Sequence, residues 1–326
     1  MQELIKAKAI ELLENGTVDR VLGWKAGEFF YDLTPAVFTT REEIEKDFVY
    51  SVFSGANLSK YLVRESRKEG KVAAFLKPCD TYSFNQLLKE HRIWRDRVYV
   101  VGIACDGMCD IEKIRAAGAK GILGVERDGD TLKINTLYGE MTMPKADADA
   151  ERCVCCKSRK LVAYDEKIGE DGEVRENSGR FDMVARLEAM TPDERFAFWQ
   201  GELSKCIRCN ACRDVCPACT CEKCVFDNPN SGIAQKAAVN SFEESMYHII
   251  RAFHVASRCT DCGECSRVCP QNIPLHLLNR KFIKDINELY GEYQSGADLE
   301  TRPPLMNFTK EDCEPSVVYE RGGKQA

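Results

Sequence analysis

Two stretches of the chain read C-x2-C-x2-C-x3-C-P. The first holds Cys206, Cys209, Cys212, Cys216 and Pro217; the second holds Cys259, Cys262, Cys265, Cys269 and Pro270. Thiols this dense, each run closed by a proline, form the ligand pattern of a pair of [4Fe-4S] clusters. Three cysteines two residues apart wrap three corners of a cube, and the fourth of each run reaches the other cube. The expected sets are Cys206, Cys209, Cys212 and Cys269 for cluster 1, and Cys259, Cys262, Cys265 and Cys216 for cluster 2. Structural zinc is the alternative, but zinc sites use paired C-x2-4-C spurs, four ligands per metal, and fit these runs poorly.

The chain has 326 residues and eighteen cysteines, room for two domains or one large one with an appended module. The opening MQELIKAKAIELLENG reads as a short amphipathic helix ending at Gly16, not as a secretory signal. So many cysteines in an unsecreted chain point to metal clusters rather than disulfides, and a reducing, anaerobic cytoplasm is the expected setting. No apolar run approaches the length of a membrane span. The net charge of −6 lends nothing to nucleic-acid binding. Lys205, Arg208, Arg213, Lys223, Arg258 and Arg267 lie among the cluster ligands. They either favour the reduced, more anionic clusters or form a solvated basic rim.

Upstream, strand-like and helix-like segments alternate. Val18–Trp24, Phe29–Tyr31, Val72–Leu76, Val98–Ile103 and Gly121–Val125 look extended. Asn57–Lys68, Ser83–His91 and Asp110–Ala117 look helical, and Thr40 with Glu43 makes a capping box. This order predicts a parallel α/β sheet. Arg127–Asp130 and Tyr138–Glu140 read as hairpin turns. Residues 157–182 read as a linker. Thr191, Pro192 and Glu194 announce a helix that delivers Cys206. Helices near Glu243–Ser257 and Leu275–Leu289 follow. The expected architecture is an α/β, parallel-sheet domain at 1–185, a mainly helical two-cluster ferredoxin-like domain at 186–295, and a C-terminal tail at 296–326.

Cys79 and Cys105 each follow a buried strand, and the carboxyl ends of parallel strands share one edge where ligand sites gather. Cys153-x-x-Cys156 has recognised ligand spacing, so these four thiols either hold a third [4Fe-4S] cluster or, for the lone pair, are simply buried. Cys219-x-Cys221-x-x-Cys224 suggests a fourth cluster or a zinc, its fourth ligand coming from Cys155, Cys109 or a partner. Cys109 and Cys313 read otherwise as incidental. Ser54, Gly55 and Asn57 precede a helix, where they either cradle a phosphate or cap the helix. His248 and His254 are six apart and do not share a face; His91 and His276 stand alone. No nucleophile triad, P-loop, zinc-protease motif or G-x-G-x-x-G is present, so no catalytic residue is assigned.

Residues 1 to about 175 resemble the coenzyme F420 (deazaflavin) hydrogenase/dehydrogenase beta-subunit family. The likeness rests on Pro78-Cys79, Ile103-Ala104-Cys105, Cys153-Val-Cys-Cys156, Asp165-x-x-Ile168-Gly169, Glu14–Val21 and Tyr50–Asn57. By resemblance, Cys79, Cys105, Cys153 and Cys156 bind a [4Fe-4S] cluster beside a flavin, FAD. Family members usually open with a further flavin-housing segment, and this chain starts downstream of it. The expected function is an iron-sulfur electron-transfer subunit of an anaerobic oxidoreductase. It would relay single electrons between a catalytic partner (formate dehydrogenase or hydrogenase type) and a flavin or iron-sulfur acceptor (heterodisulfide-reductase or bifurcating type), in a hetero-oligomer with a further electron-transfer protein. The alternative is a self-contained FAD iron-sulfur enzyme that reduces a deazaflavin or nicotinamide coenzyme.

Overall fold

Near-continuous apolar runs build the centre of the molecule. The computed structural model describes residues 1–157, 159–173, 179–228, 230 and 241–306; Cys313 lies outside them. Among these residues eight strands form two sheets: β1 (Arg20–Ala26), β2 (Leu33–Phe38), β3 (Val72–Leu76), β4 (Val98–Ile103), β5 (Ile122–Asp128), β6 (Thr131–Thr136), β7 (Gly139–Pro144) and β8 (Glu166–Ile168). The larger sheet has the order β2-β1-β3-β4-β8. The β1–β3, β3–β4 and β4–β8 pairs are parallel, and β2 pairs antiparallel at one edge. Every residue of β3 is buried, as expected of a strand covered on both faces. The result is an α/β unit with a parallel-containing sheet, followed by a mainly helical, ferredoxin-like unit.

The structure departs from the sequence reading in four places. Phe29–Tyr31 is a turn, not a strand; Phe29 stacks on Tyr31, Phe30 packs edge-on against Phe53, and the true strand is Leu33–Phe38. Pro35 within that strand is tolerated because β2 lies on the sheet edge. The Gly121–Val125 segment does not extend the parallel sheet. It opens β5, which pairs antiparallel with β6, as β6 does with β7, in a separate three-stranded sheet. Within residues 157–182 the chain returns to add β8 beside β4, a strand of three residues that carries little pattern of its own. The helix expected at Ser83 begins at Pro78 and runs to Lys89, so Cys79 sits in its first turn.

The two units are locked together by buried charge. Glu264, fully buried, accepts from Arg267 at 2.7 and 2.8 Å and from the Asn57 backbone N–H at 3.3 Å, and it pairs with Arg152. Arg152 also donates to the carbonyls of Cys262 and Gly55, at 3.0 and 2.9 Å. Ser83 and Thr260 share a hydroxyl contact at 2.9 Å. Burial works to raise the Glu264 pKa, but the charges of Arg267 and Arg152 outweigh it and hold the carboxyl down at about 2. The clamp is therefore ionic near neutral pH.

Candidate iron-sulfur centres

The capping box at Thr191 and Glu194 forms as the sequence demands, with Pro192 in the first turn of the helix Pro192–Leu203. Cys206 follows directly, its N–H bonded to the Leu203 carbonyl at 3.0 Å. The two cysteine runs then trace the same path. Arg208 and Asn210 take left-handed φ of 54° and 63°, and their counterparts Asp261 and Gly263 take 58° and 68°. This turns the peptide N–H of the residue two along back onto the first sulfur: Arg208 N–H to Cys206 Sγ and Asp261 N–H to Cys259 Sγ, both at 3.4 Å. N–H donors aimed at sulfur favour the thiolate. They are also a lever on cluster potential.

Cys206, Cys209, Cys212 and Cys269 line one enclosed cavity, which brings the fourth cysteine of the second run to the first three. Its wall includes Tyr247 and His248, from the helix Ser241–His254. His248 Nε2 lies 3.3 Å from Cys206 Sγ. Burial, then the charges of Arg251 and Arg208, push the imidazole down to about 3, so it is neutral; a cluster-bound thiolate can only accept, and against one Nε2–H would be the donor. Glu244, His248 and Cys206 offer ligand atoms all within 4.8 Å of one another. Sequence reasoning passed over His248 by comparing it with His254. The useful spacing is Glu244, His248 and Arg251, four and three apart, which puts all three on one helix face.

Cys259, Cys262 and Cys265 lie close enough to raise one another's pKa values, and Cys216 packs with Cys259 in one small cluster. The structure therefore gathers the second crossed set as well. Between the two sets sits Arg251, which the sequence reading did not single out. It is buried and donates to the Cys212 carbonyl at 3.2 Å. Burial works against its charge, yet the sulfurs of Cys212, Cys219, Cys216 and Cys265 hold it charged. Most of the basic residues that lie among the cluster ligands in sequence are matched by carboxylates: Lys205 by Glu202, Arg213 by Asp227, Arg258 by Glu90, and Arg267 by Glu264.

Parallel register explains the next site. Leu76 pairs with Gly102, so Cys79 and Cys105, each three residues further on, leave the sheet at one edge. The chain after β7 comes back through Asp110 N–H to Ala148 O and Ala150 N–H to Met108 O, both 2.8 Å. That delivers Cys153, which accepts from Met108 N–H at 3.2 Å, while Cys105 accepts from Gly107 N–H at 3.4 Å. Cys79, Cys105, Cys153 and Cys156 line one cavity, and Cys262 of the second run lines it too. Burial pushes the Cys105, Cys206 and Cys259 thiols up to about 12. Such thiols keep their protons until a metal displaces them. Among the described residues no three thiol sulfurs lie within 4.8 Å of one another.

The remaining candidates are placed as follows. Ser54, Gly55 and Asn57 are buried in the contact between the two units. Asn57 Oδ1 accepts from Ser59 N–H at 3.1 Å, its amide donates to Ser83 at 2.9 Å, and Ser54 Oγ accepts from Ser51 N–H at 2.9 Å. These are the bonds of a helix cap and an internal joint. Cys219, Cys221 and Cys224 line a further cavity, which neither Cys109 nor Cys155 reaches. Cys109 bridges to Asp149 instead, and Cys155 lies 3.4 Å from Glu151. Among the described residues no helix is long and apolar enough to cross a membrane.

Comparison with known proteins fits this arrangement. Residues 202–273 match the 4Fe-4S dicluster domain. The F420-dependent formate dehydrogenase subunit beta of Methanocaldococcus jannaschii is 26% identical, covering 92% of each chain. The F420-dependent formate dehydrogenase 1 subunit beta of Methanococcus maripaludis is 27% identical, covering 90% of each. A solved F420-reducing [NiFe] hydrogenase complex from Methanosarcina barkeri is similar over 58% of this chain and 77% of its own, at 19% identity and a TM-score of 0.40. The curated relatives run nearly end to end with this chain, and the dicluster match falls on both cysteine runs. Along nearly its whole length the chain is similar to F420-dependent formate dehydrogenase beta subunits, and it carries a 4Fe-4S dicluster domain joined to its α/β portion.

Proposed function

We propose that this chain is the electron-transfer subunit of a formate dehydrogenase- or hydrogenase-type complex and relays single electrons through three [4Fe-4S] clusters. Cluster 1 is held by Cys206, Cys209, Cys212 and Cys269, cluster 2 by Cys259, Cys262, Cys265 and Cys216, and cluster 3 by Cys79, Cys105, Cys153 and Cys156. The clusters, when bound, supply one-electron chemistry; the chain supplies their spacing, burial and hydrogen bonds. The observation that carries the reading is the position of Cys262. It belongs to the second cysteine run and also lines the cavity of Cys79, Cys105, Cys153 and Cys156, so clusters 2 and 3 would be neighbours across the two units. The half near Cys209, which is exposed, faces the donor, a catalytic subunit. The sheet-edge half faces the acceptor. Because the curated relatives are named as F420-dependent, that acceptor is a flavin, FAD, serving a deazaflavin.

The test is metal and flavin analysis of anaerobically purified protein. Three clusters require about twelve irons per chain at four per cube. Cys79→Ser is expected to remove about four of them and to leave the signals of the dicluster pair. Retention of all the iron and of the full EPR spectrum by Cys79→Ser would sink the third-cluster assignment. A co-purifying formate dehydrogenase or hydrogenase subunit would identify the donor.

A further inference from the structure

Cys219, Cys221 and Cys224 fall within six residues and have no part in the three clusters above. An unused surface thiol is a liability, open to oxidation and exchange. Cys221 is exposed. Its two companions turn toward the same cavity, with Asp214, Asp227 and His254 on the lining. The loop that carries them is anchored. Phe226 is buried against Tyr247, ring centroids 4.7 Å apart, and Asp227 N–H closes a turn onto the Cys224 carbonyl at 3.0 Å. Four cations border the cavity: Lys60, Arg213, Arg251 and Arg258. Lys60 donates to the Cys219 carbonyl, and Arg213 is held by Asp227 at 2.8 Å. Cys219 also sits hydrogen-bonded to Cys216, a ligand of cluster 2.

We propose that Cys219, Cys221 and Cys224 hold a fourth iron-sulfur cube. It would be bound by three thiolates with a non-thiol ligand on its fourth iron, and would form a surface port into cluster 2. The three thiols release three protons on ligation, and oxidation of this centre by one electron reduces cluster 2 by one electron. His254, Glu222, Asp214 and Asp227 are the lining groups able to complete the set; Arg213 holds the two aspartates and leaves His254 and Glu222.

The inference adds to the three-cluster reading, and the two fail differently. Iron and zinc are measured on the full chain purified without air, wild type beside Cys221→Ser/Cys224→Ser. Cys221 is exposed, Cys224 packs against the dicluster core without being buried in it, and the dicluster EPR signals of the variant report that it has folded. The expected result is about sixteen irons per wild-type chain, falling to about twelve in the variant at four per cube, with little zinc. Mild oxidation of the wild type should release one iron from the three-thiolate cube and give a three-iron signal that the variant lacks. Equal iron in the two proteins, or one zinc lost in place of iron, overturns the proposal. A wild-type count near twelve that the variant keeps leaves the three-cluster relay standing. A count near eight removes the third cluster as well.

Discussion

The two cysteine runs share a backbone and differ in what surrounds it. In the first, the left-handed positions carry Arg208 and Asn210; in the second, they carry Asp261 and Gly263. Arg208 stacks over Tyr247 at 4.3 Å and lies 3.8 Å from Glu244, all within the dicluster unit. Asp261 is pinned from outside the run by Arg180 at 2.7 Å and Arg280 at 2.9 Å. Where the first run has Ala211, the second has Glu264, the centre of the clamp to the α/β unit. Cys209 is exposed, whereas Cys262 is half-buried and lines the sheet-edge cavity. Identical ligand geometry thus serves two tasks. One loop faces outward, and the other is wired into the neighbouring unit. The side chains between the cysteines decide which, because the cysteines themselves are spent on the cube.

The largest break in this comparison is expected from Glu264→Ala. It strips the shared counter-charge from Arg152 and Arg267, and removing one partner from a buried ionic pair costs about 3–5 kcal/mol. Denaturant unfolding of the cluster-loaded protein is expected to lose stability in that range, whereas Ala211→Ser at the matching position changes it by less than about 0.5 kcal/mol. Equal effects at the two positions would mean that the runs are not differently anchored. Gly263→Ala is next. A left-handed φ of 68° disfavours any Cβ, by about 1–2 kcal/mol. Here the Cβ would also come within 2.8 Å of Arg152 Cβ. Asn210, at the matching place, already carries a Cβ and accepts from Tyr247 OH at 3.1 Å. Asn210→Ala should therefore lose one hydrogen bond, about 1 kcal/mol, with no displacement of a neighbour. Thermal melting of the two variants side by side separates them.

The sequence made the candidate ligands legible and left their surroundings largely hidden. C-x2-C-x2-C-x3-C-P is a local pattern, and the expected crossed sets follow from reach alone. The capping boxes at Thr40 and Thr191 are equally local, and both form. β3 and β4 announce themselves as short buried runs. By contrast, β8 has three residues and exists because β4 offers an open edge, a tertiary cause with no local trace. β6 shows real alternation, with Leu132 and Ile134 buried and Lys133 exposed, but alternation does not say which sheet a strand joins. The cations that act on the clusters were sought near the cysteines in sequence, and carboxylates match most of those. Arg251 comes from a helix outside both runs. Its spacing to His248 and Glu244 was readable, but the helix face they share has meaning only once Cys206 is seen against it.

That shared face also supplies the subtlest comparison between the clusters. Arg251 stands among sulfurs of both sets, so Arg251→Gln removes a positive charge from both. Each reduced cluster loses stabilisation, and both midpoint potentials are expected to fall in an EPR-monitored redox titration. His248 touches only the first set, 3.3 Å from Cys206 Sγ. His248→Phe keeps the bulk and deletes one N–H donor to a ligand sulfur. A net hydrogen bond contributes about 1 kcal/mol, and only the part that differs between oxidation states moves a potential. The first cluster should therefore drop by no more than about 40 mV, given about 59 mV per tenfold change for one electron, while the second stays where it was. The imidazole is already neutral, with burial the main cause of its pKa near 3. The drop should accordingly be the same at pH 6 and pH 8. A pH-dependent difference between wild type and His248→Phe would mean that the ring gains a proton when the cluster is reduced. The first run would then be a proton-coupled entry point, and the second a purely electronic link.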